Sequence, residues 1–144
     1  MHSISENFMT AVVKAAIAAG SSIDENSAII DMADYESVMF ITPIVTSALT
    51  GVATLTIEQS DENSDTAMTA IDGAVATATA SSNGSLNDKV LKVEIRNPSK
   101  RYVQAVLTSA TANIAYGQTI AILRPRRVPI TDGADVAAAA YVSP

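Results

Sequence analysis

The stretch that decides the fold is KVLKVEIRNPSKRYVQAVLT, residues 89–108. Apolar side chains alternate with charged or polar ones in both halves, at Leu91, Val93 and Ile95 and then at Val103, Ala105 and Leu107. Because successive strand side chains point to opposite faces, each half predicts a half-buried β-strand. Pro98 lacks a backbone donor and biases Asn97 away from helix, so the middle predicts a turn. We expect a β-hairpin whose apolar face is covered by the rest of the chain.

Strand patterns recur on both sides of this stretch. Residues 52–58 alternate in the same way, and residues 28–32, 74–80 and 118–123 predict shorter strands. Residues 24–26 have the composition of an acidic turn. Residues 37–45 are almost continuously apolar, which predicts a central strand covered on both faces, with Pro43 marking a bulge or an edge.

The N-terminal segment fits two structures. Residues 8–17 show both helical spacing and a strand-like alternation through Met9, Ala11 and Val13, so periodicity alone does not decide between them. The β-rich remainder favours a strand. With seven or eight short strands in 144 residues, the chain predicts one all-β domain. Its form is a β-sandwich or a barrel, with the eight-stranded jelly roll as one option, and residues 124–144 are expected to form an extended basic and Ala-rich tail.

Composition narrows the possible partners. The net charge of −6 disfavours nucleic acid, and an aromatic content of 4% leaves few platforms for stacking on sugars or bases. The chain has no cysteine, which excludes disulfides and thiolate chemistry. The apolar run at 11–19 is broken by Lys14 and is too short to span a bilayer, and no lysine or arginine precedes it. We expect no membrane partner and no targeting segment.

The acidic segment 61–72 resembles a calcium-binding loop in part. Its matching positions are Asp61, Asn63, Asp65 and Asp72. Thr66 stands where the pattern requires glycine, and the last position lacks the usual glutamate. A solvated loop is therefore the expectation, and no metal is expected there.

No set of residues predicts catalysis. His2 is the only histidine and lies at a chain end, where a catalytic triad is improbable. The carboxylates of Asp31, Asp34 and Glu36 match solvated turn residues better than an acid–base pair. The six glycines are scattered and form no phosphate-binding loop. We expect no enzyme activity and no cofactor.

A basic cluster follows the last predicted strand. Arg124, Arg126 and Arg127 are three of the nine basic residues, and two prolines between 124 and 129 end the strand pattern after Leu123. In an acidic protein this cluster predicts either a docking segment for an acidic protein surface or a solvated exit from the sheet.

Several short motifs carry a resemblance to a known family. They are the Ala-rich first segment, Asp31-Met32-Ala33, the Pro-x-x-Arg-Tyr-Val turn at 98–103, the step at 108–112, the Arg-rich strand end, and the Ala-rich tail closing on Val-Ser-Pro at 142–144. With these features the chain resembles the capsid decoration, or cement, proteins of tailed bacteriophages.

The resemblance implies a jelly-roll sandwich that forms homotrimers and binds the major capsid protein on the outside of the virion without catalysing a reaction. With that role, the expected contacts to the capsid or to a neighbouring subunit are Arg124, Arg126, Arg127 and Tyr141. Alternatives are a phage tail or head-to-tail connector protein, or a virion-displayed carbohydrate-binding sandwich.

Overall fold

The computed structural model describes residues 4–142, which are mostly strand. The eleven strands are β1 (Met9–Lys14), β2 (Ile17–Gly20), β3 (Asp24–Asn26), β4 (Ile30–Asp31), β5 (Tyr35–Ser47), β6 (Val52–Ser60), β7 (Thr69–Thr79), β8 (Val90–Arg96), β9 (Tyr102–Ala110), β10 (Ile114–Tyr116) and β11 (Thr119–Pro125). A short helix, α1 (Ile4–Asn7), precedes them, and a 3-10 turn (Asp65–Ala67) lies between β6 and β7. The predicted all-β class is confirmed.

The strands form two antiparallel sheets packed face to face. In the first sheet β1 pairs with β11, and β2 pairs with β10. Both β10 and β11 pair with one side of β5, and β8 pairs with its other side. In the second sheet β3 and β4 pair with β9, followed by β6 and β7. The pairs β1/β2, β3/β4 and β10/β11 can each be counted as one strand, and the resulting strands numbered 1 to 8 along the chain. The strand orders of the two sheets are then 1-8-3-6 and 2-7-4-5. This is the jelly-roll order, as the sequence predicts.

The hairpin predicted for residues 89–108 is wrong, although both of its strands exist. β8 pairs with β5 in the first sheet, and β9 pairs with β6 in the second. Asn97 adopts a positive φ of 49° and its N–H donates to the Glu36 carbonyl at 2.7 Å, which directs the chain across to the opposite sheet. Alternation reports which face of a strand is buried, but it does not report the partner strand.

The core lies between the two sheets and contains the side chains that the alternation predicts. In the second sheet Ala53, Leu55, Ile57, Val103, Ala105 and Leu107 are buried; facing them in the first sheet are Val38, Phe40, Ile44, Leu91 and Leu123. The Thr42 and Thr119 hydroxyls are also fully buried and bond to each other at 2.7 Å. Mutual pairing satisfies polar groups that burial would otherwise leave without a partner.

Several boundaries differ from the sequence predictions. The N-terminal segment is a strand, as expected, but the acidic turn at 24–26 is strand β3, and within 28–32 only Ile30–Asp31 pairs. Strand β10 was not predicted. β11 continues to Pro125, which lies opposite Tyr35. Proline is tolerated there because it closes the strand at a register shift, where no ladder donor is needed.

The C-terminal segment lies along the outer edge of β1. The backbone N–H of Val12 donates to Asp135 Oδ2 at 3.0 Å, and that of Ile130 donates to the Glu6 carbonyl at 3.2 Å. These bonds hold residues 130–136 against the first sheet. Beyond Val136 the described residues are exposed, and no hydrogen bond to the rest of residues 4–142 involves them.

Candidate functional site

The predicted basic cluster lies at one end of the sandwich, beside the β4–β5 turn. Arg124, in β11, pairs with Glu36, the Nε to Oε1 distance being 2.8 Å. The backbone N–H of Arg126 donates to the Asp34 carbonyl at 2.9 Å, which fixes the chain as it leaves the sheet. Within residues 4–142, the Arg126 and Arg127 guanidinium groups have no carboxylate partner and remain exposed. This end therefore presents uncompensated positive charge in a protein of net charge −6.

Two open cavities flank these arginines. The larger, of about 530 Å³, is lined by Asp34, Tyr35, Pro125, Arg126, Arg127 and Ile130. The smaller, of about 380 Å³, is lined by Asn7, Phe8, Glu36, Arg124, Pro125, Arg126 and Val128. Burial and the nearby Asp34 carboxylate raise the pKa of Tyr35, whose hydroxyl donates to Met9 Sδ at 2.8 Å. Tyr141, the fourth predicted contact, lines neither cavity and is 66% exposed.

The outward-facing side of the first sheet forms a second surface, continuous with the arginines. Directly opposite residues of antiparallel strands point to the same face, so β8, β5, β11 and β1 align their outward side chains in rows. From the arginine end, the rows are Arg96, Ser37 and Arg124; then Glu94, Met39, Ile122 and Thr10; then Lys92, Ile41, Ile120 and Val12. We name these three rows the outer face. Its centre is apolar and partly exposed, and its β8 side and its arginine end are charged.

The two sides of β5 differ in burial, which corrects one prediction from the sequence. Residues 37–45 were expected to be covered on both faces. The inward residues Val38, Phe40 and Thr42 are fully buried, whereas Met39 and Ile41 on the other side are only partly buried. The chain thus covers one side of β5 and leaves its second apolar side open. The continuous apolar run was the signal in the sequence for this surface.

Charged residues of the acidic segment are engaged by protein partners. Asp61 pairs with Lys100, and Asp65 accepts a hydrogen bond from Gln104 Nε2. Asp72 lies in β7, beyond the 3-10 turn. Among the described residues no group of three acidic or histidine side chains is placed to hold a metal ion. His2 lies outside the described residues.

A polar pair lies on the outward side of the second sheet. Glu58 and Gln104 are directly opposite in β6 and β9. Gln104 is 1% exposed and donates to the Ser27 carbonyl at 2.8 Å, while its Oε1 has no hydrogen-bond partner within residues 4–142. Burial, with the charges of Asp24 and Asp65, raises the pKa of the Glu58 carboxyl. Negative charge at Glu58 is therefore unfavourable in the folded protein.

Two of the three carboxylates considered as an acid–base pair are engaged in ion pairs. Asp31 accepts two hydrogen bonds from Arg101, at 2.9 and 2.8 Å, and this contact holds its pKa below the usual value. Glu36 pairs instead with Arg124. The contact with Arg101 therefore stabilises the charged form of Asp31.

Aromatic side chains offer little stacking surface. Phe40 and Tyr116 are fully buried, Phe8, Tyr35 and Tyr102 are partly buried, and Tyr141 alone is exposed.

Within the described residues, no helix is long and apolar enough to cross a membrane.

Comparison with known proteins identifies no family. No family model and no curated protein matches the chain. Among solved structures, a chain from "Structure of infectious bursal disease virus Gt strain" is similar over 82% of this chain and 32% of its own, at 10% identity and a TM-score of 0.42. A chain from "CBM4 structure and function" is similar over 85% of this chain and 88% of its own, at 9% identity and a TM-score of 0.41. This chain spans about a third of the viral chain, and neither similarity assigns a function.

Proposed function

We propose that this protein is a non-catalytic virion protein that binds the outer surface of a bacteriophage capsid and stabilises the shell. The observation that carries the proposal is the outer face, whose apolar centre is only partly covered by the chain and is bordered at one end by Arg96 and Arg124. The motifs that resemble phage decoration proteins point in the same direction.

The composition of the outer face suits a protein partner. Protein interfaces combine an apolar, water-excluding centre with a polar rim, and arginine is enriched in them. Met39, Ile41 and Ile120 supply the centre, while Arg96 and Arg124 supply part of the rim. Arg126 and Arg127 extend the positive charge beyond the sheet. We infer that the partner presents an apolar patch bordered by carboxylates, as a major capsid protein could.

Stabilisation follows from selective binding. A subunit that binds the mature shell and not its dissociated parts lowers the free energy of the shell by its own binding free energy. A homotrimer, which we propose as the assembly, would engage three sites at once and raise the avidity without new contacts. Neither effect requires a catalytic group or a cofactor.

The test is rebinding to heads of the phage that encodes the protein, prepared without it. We expect the wild-type chain to bind and to raise the melting temperature of the heads. The double substitution Ile41→Lys, Ile120→Lys should lower the affinity at least tenfold, because it buries two charges in the apolar centre. The matched control, Thr54→Lys with Thr56→Lys, places the same charges on the outward side of the second sheet.

The outcomes separate the candidate roles. Normal binding by the outer-face variant would contradict the proposal, as would equal loss in the control. Wild-type protein that ignores the heads and assembles into rings or tubes would instead support a tail or connector role.

A further inference from the structure

Within residues 4–142 the two sheets have four outer edges, and most of their edge strands are protected; β2, which continues the β1 edge, is uncharged but only four residues long. The β1 edge is occupied by the C-terminal segment through the Val12–Asp135 bond. The β3 edge carries Asp24 and Glu25, and the β8 edge carries Lys92, Glu94 and Arg96. Proteins commonly block edge strands with charged residues or a covering segment, because unpaired backbone groups otherwise bind another strand.

The fourth edge, β7, has no covering segment among the described residues and carries a single charge, Asp72, in its first half. β7 pairs with β6 on one side only. Its second half, residues 74–79, reads AVATAT and contains no charge, proline or glycine. Val75 is 51% exposed there, and Thr77 and Thr79 are exposed as well. This half of β7 is a free template for an additional strand.

The segment beyond Val136 has the matching chemistry. Residues 137–142 read AAAAYV, are exposed and carry no charge. Both segments have six residues and would span about 20 Å as strands. Pairing them would satisfy backbone groups on both and would meet no like-charge repulsion.

The two segments lie on opposite sides of one subunit. Residues 130–136 are held beside β1, at one edge of the first sheet, whereas β7 packs beside β8, at the other edge. A contact between different surfaces on opposite sides joins copies head to tail, and it closes into a ring when the rotation allows.

We propose that residues 137–142 of one copy add as a strand to the free edge of β7, at residues 74–79, in a neighbouring copy. The contact deepens the assembly role proposed above and rests on it for its biological meaning. It is tested in solution without capsids, so it can fail while shell binding stands, and the reverse.

The absence of cysteine in the chain allows a direct cross-linking test. Thr77→Cys is co-expressed in turn with Ala138→Cys, Ala139→Cys and Ala140→Cys, and each mixture is oxidised. We expect at least one mixture to form a disulfide-linked dimer in several-fold higher yield than Ser82→Cys, in an exposed loop, with the same tail variants. Yields no higher than this control would overturn the proposal. So would efficient linkage of Thr77→Cys to itself, which would indicate pairing of two β7 strands.

Deleting residues 137–144 is the second measurement. The assembly mass from sedimentation should fall to that of the single chain, while the deleted chain should still unfold cooperatively, because residues 137–142 are exposed in their own subunit. An unchanged assembly mass would overturn the proposal.

Discussion

At the scale of single residues, Tyr116 links the two sheets through its hydroxyl. The side chain is 1% exposed; its O–H donates to the Thr108 carbonyl at 2.6 Å and accepts from the Thr54 N–H at 3.1 Å. Burial raises the pKa of this phenol to about 12. A charged phenolate is therefore strongly disfavoured in the folded protein.

Tyr116→Phe should lower the free energy of unfolding by about 1–3 kcal/mol, because it removes both bonds and leaves a buried N–H unpaired. The effect should depend on pH. The folded pKa is raised above the unfolded value of 10.0, so this contribution is complete below pH 10 and is lost as pH rises through about 12. Urea unfolding of both proteins from pH 7 to 12 checks this. A wild-type advantage that persists unchanged at high pH would contradict it.

Substitution of Glu58 should stabilise the fold, whereas substitution of Tyr116 should destabilise it. Its raised pKa means that the stability from this group is present at low pH and is lost as pH rises through the folded pKa. Glu58→Gln should therefore increase the free energy of unfolding at neutral pH, by about 0.2–1 kcal/mol, since it removes a charge near Asp24 and Asp65. Denaturation at pH 4 and pH 7 is the measurement. The difference between the two proteins should shrink at pH 4, and Glu62→Gln, in the exposed acidic loop, is the control.

At the scale of elements, the sequence predicts strands better than it predicts their partners. Alternation in 52–58 and 103–107 identified the buried faces, because a two-residue period depends only on local geometry. The pairing of β8 with β5 could not be found this way, since those strands are about 50 residues apart and their contact depends on the path of the whole chain. Short strands such as β3 and β10 gave too few residues for a period to appear.

The break between β10 and β11 illustrates a local feature that packing determines. The N–H of Gly117 donates to the Pro43 carbonyl at 2.9 Å, and a Cβ at Gly117 would lie 2.7 Å from Pro43 Cγ. Pro43 lies within β5 and pairs with Val90 of β8, at the point where the partner on the other side of β5 changes from β11 to β10.

Gly117→Ala should destabilise the fold by about 1–3 kcal/mol, because the proline ring cannot move aside without shifting β5. Thermal unfolding measures this. Gly133→Ala is the matched control: its nearest neighbour would be Met9 Cε at 3.7 Å, an ordinary contact. Equal effects at both glycines would show that the close approach to Pro43 does not limit the site.

At the scale of the whole molecule, the sequence located the arginines but not the surface that they border. The cluster of positive charge can be identified from the sequence, because Arg124, Arg126 and Arg127 lie within four consecutive residues. The outer face joins β1, β5, β8 and β11, and only the fold brings its rows together. Tyr141, chosen from the tail alone, lies outside this surface and belongs to the segment that we propose pairs with β7.

The arrangement of charge over the whole molecule gives the last prediction. If Arg126 and Arg127 meet carboxylates of the capsid, Arg126→Ser with Arg127→Ser should weaken rebinding to heads and make the residual binding less sensitive to salt, because two screened charge contacts are gone. The comparison is Lys14→Ser with Lys89→Ser, which removes the same two charges from the opposite end of the sandwich. Both variants change the net charge from −6 to −8, that is, −6 − 2. Rebinding measured at low and physiological salt therefore distinguishes a local contact from a general charge effect: equal loss in both variants would assign the effect to net charge, and loss confined to the arginine variant would assign it to this end of the protein.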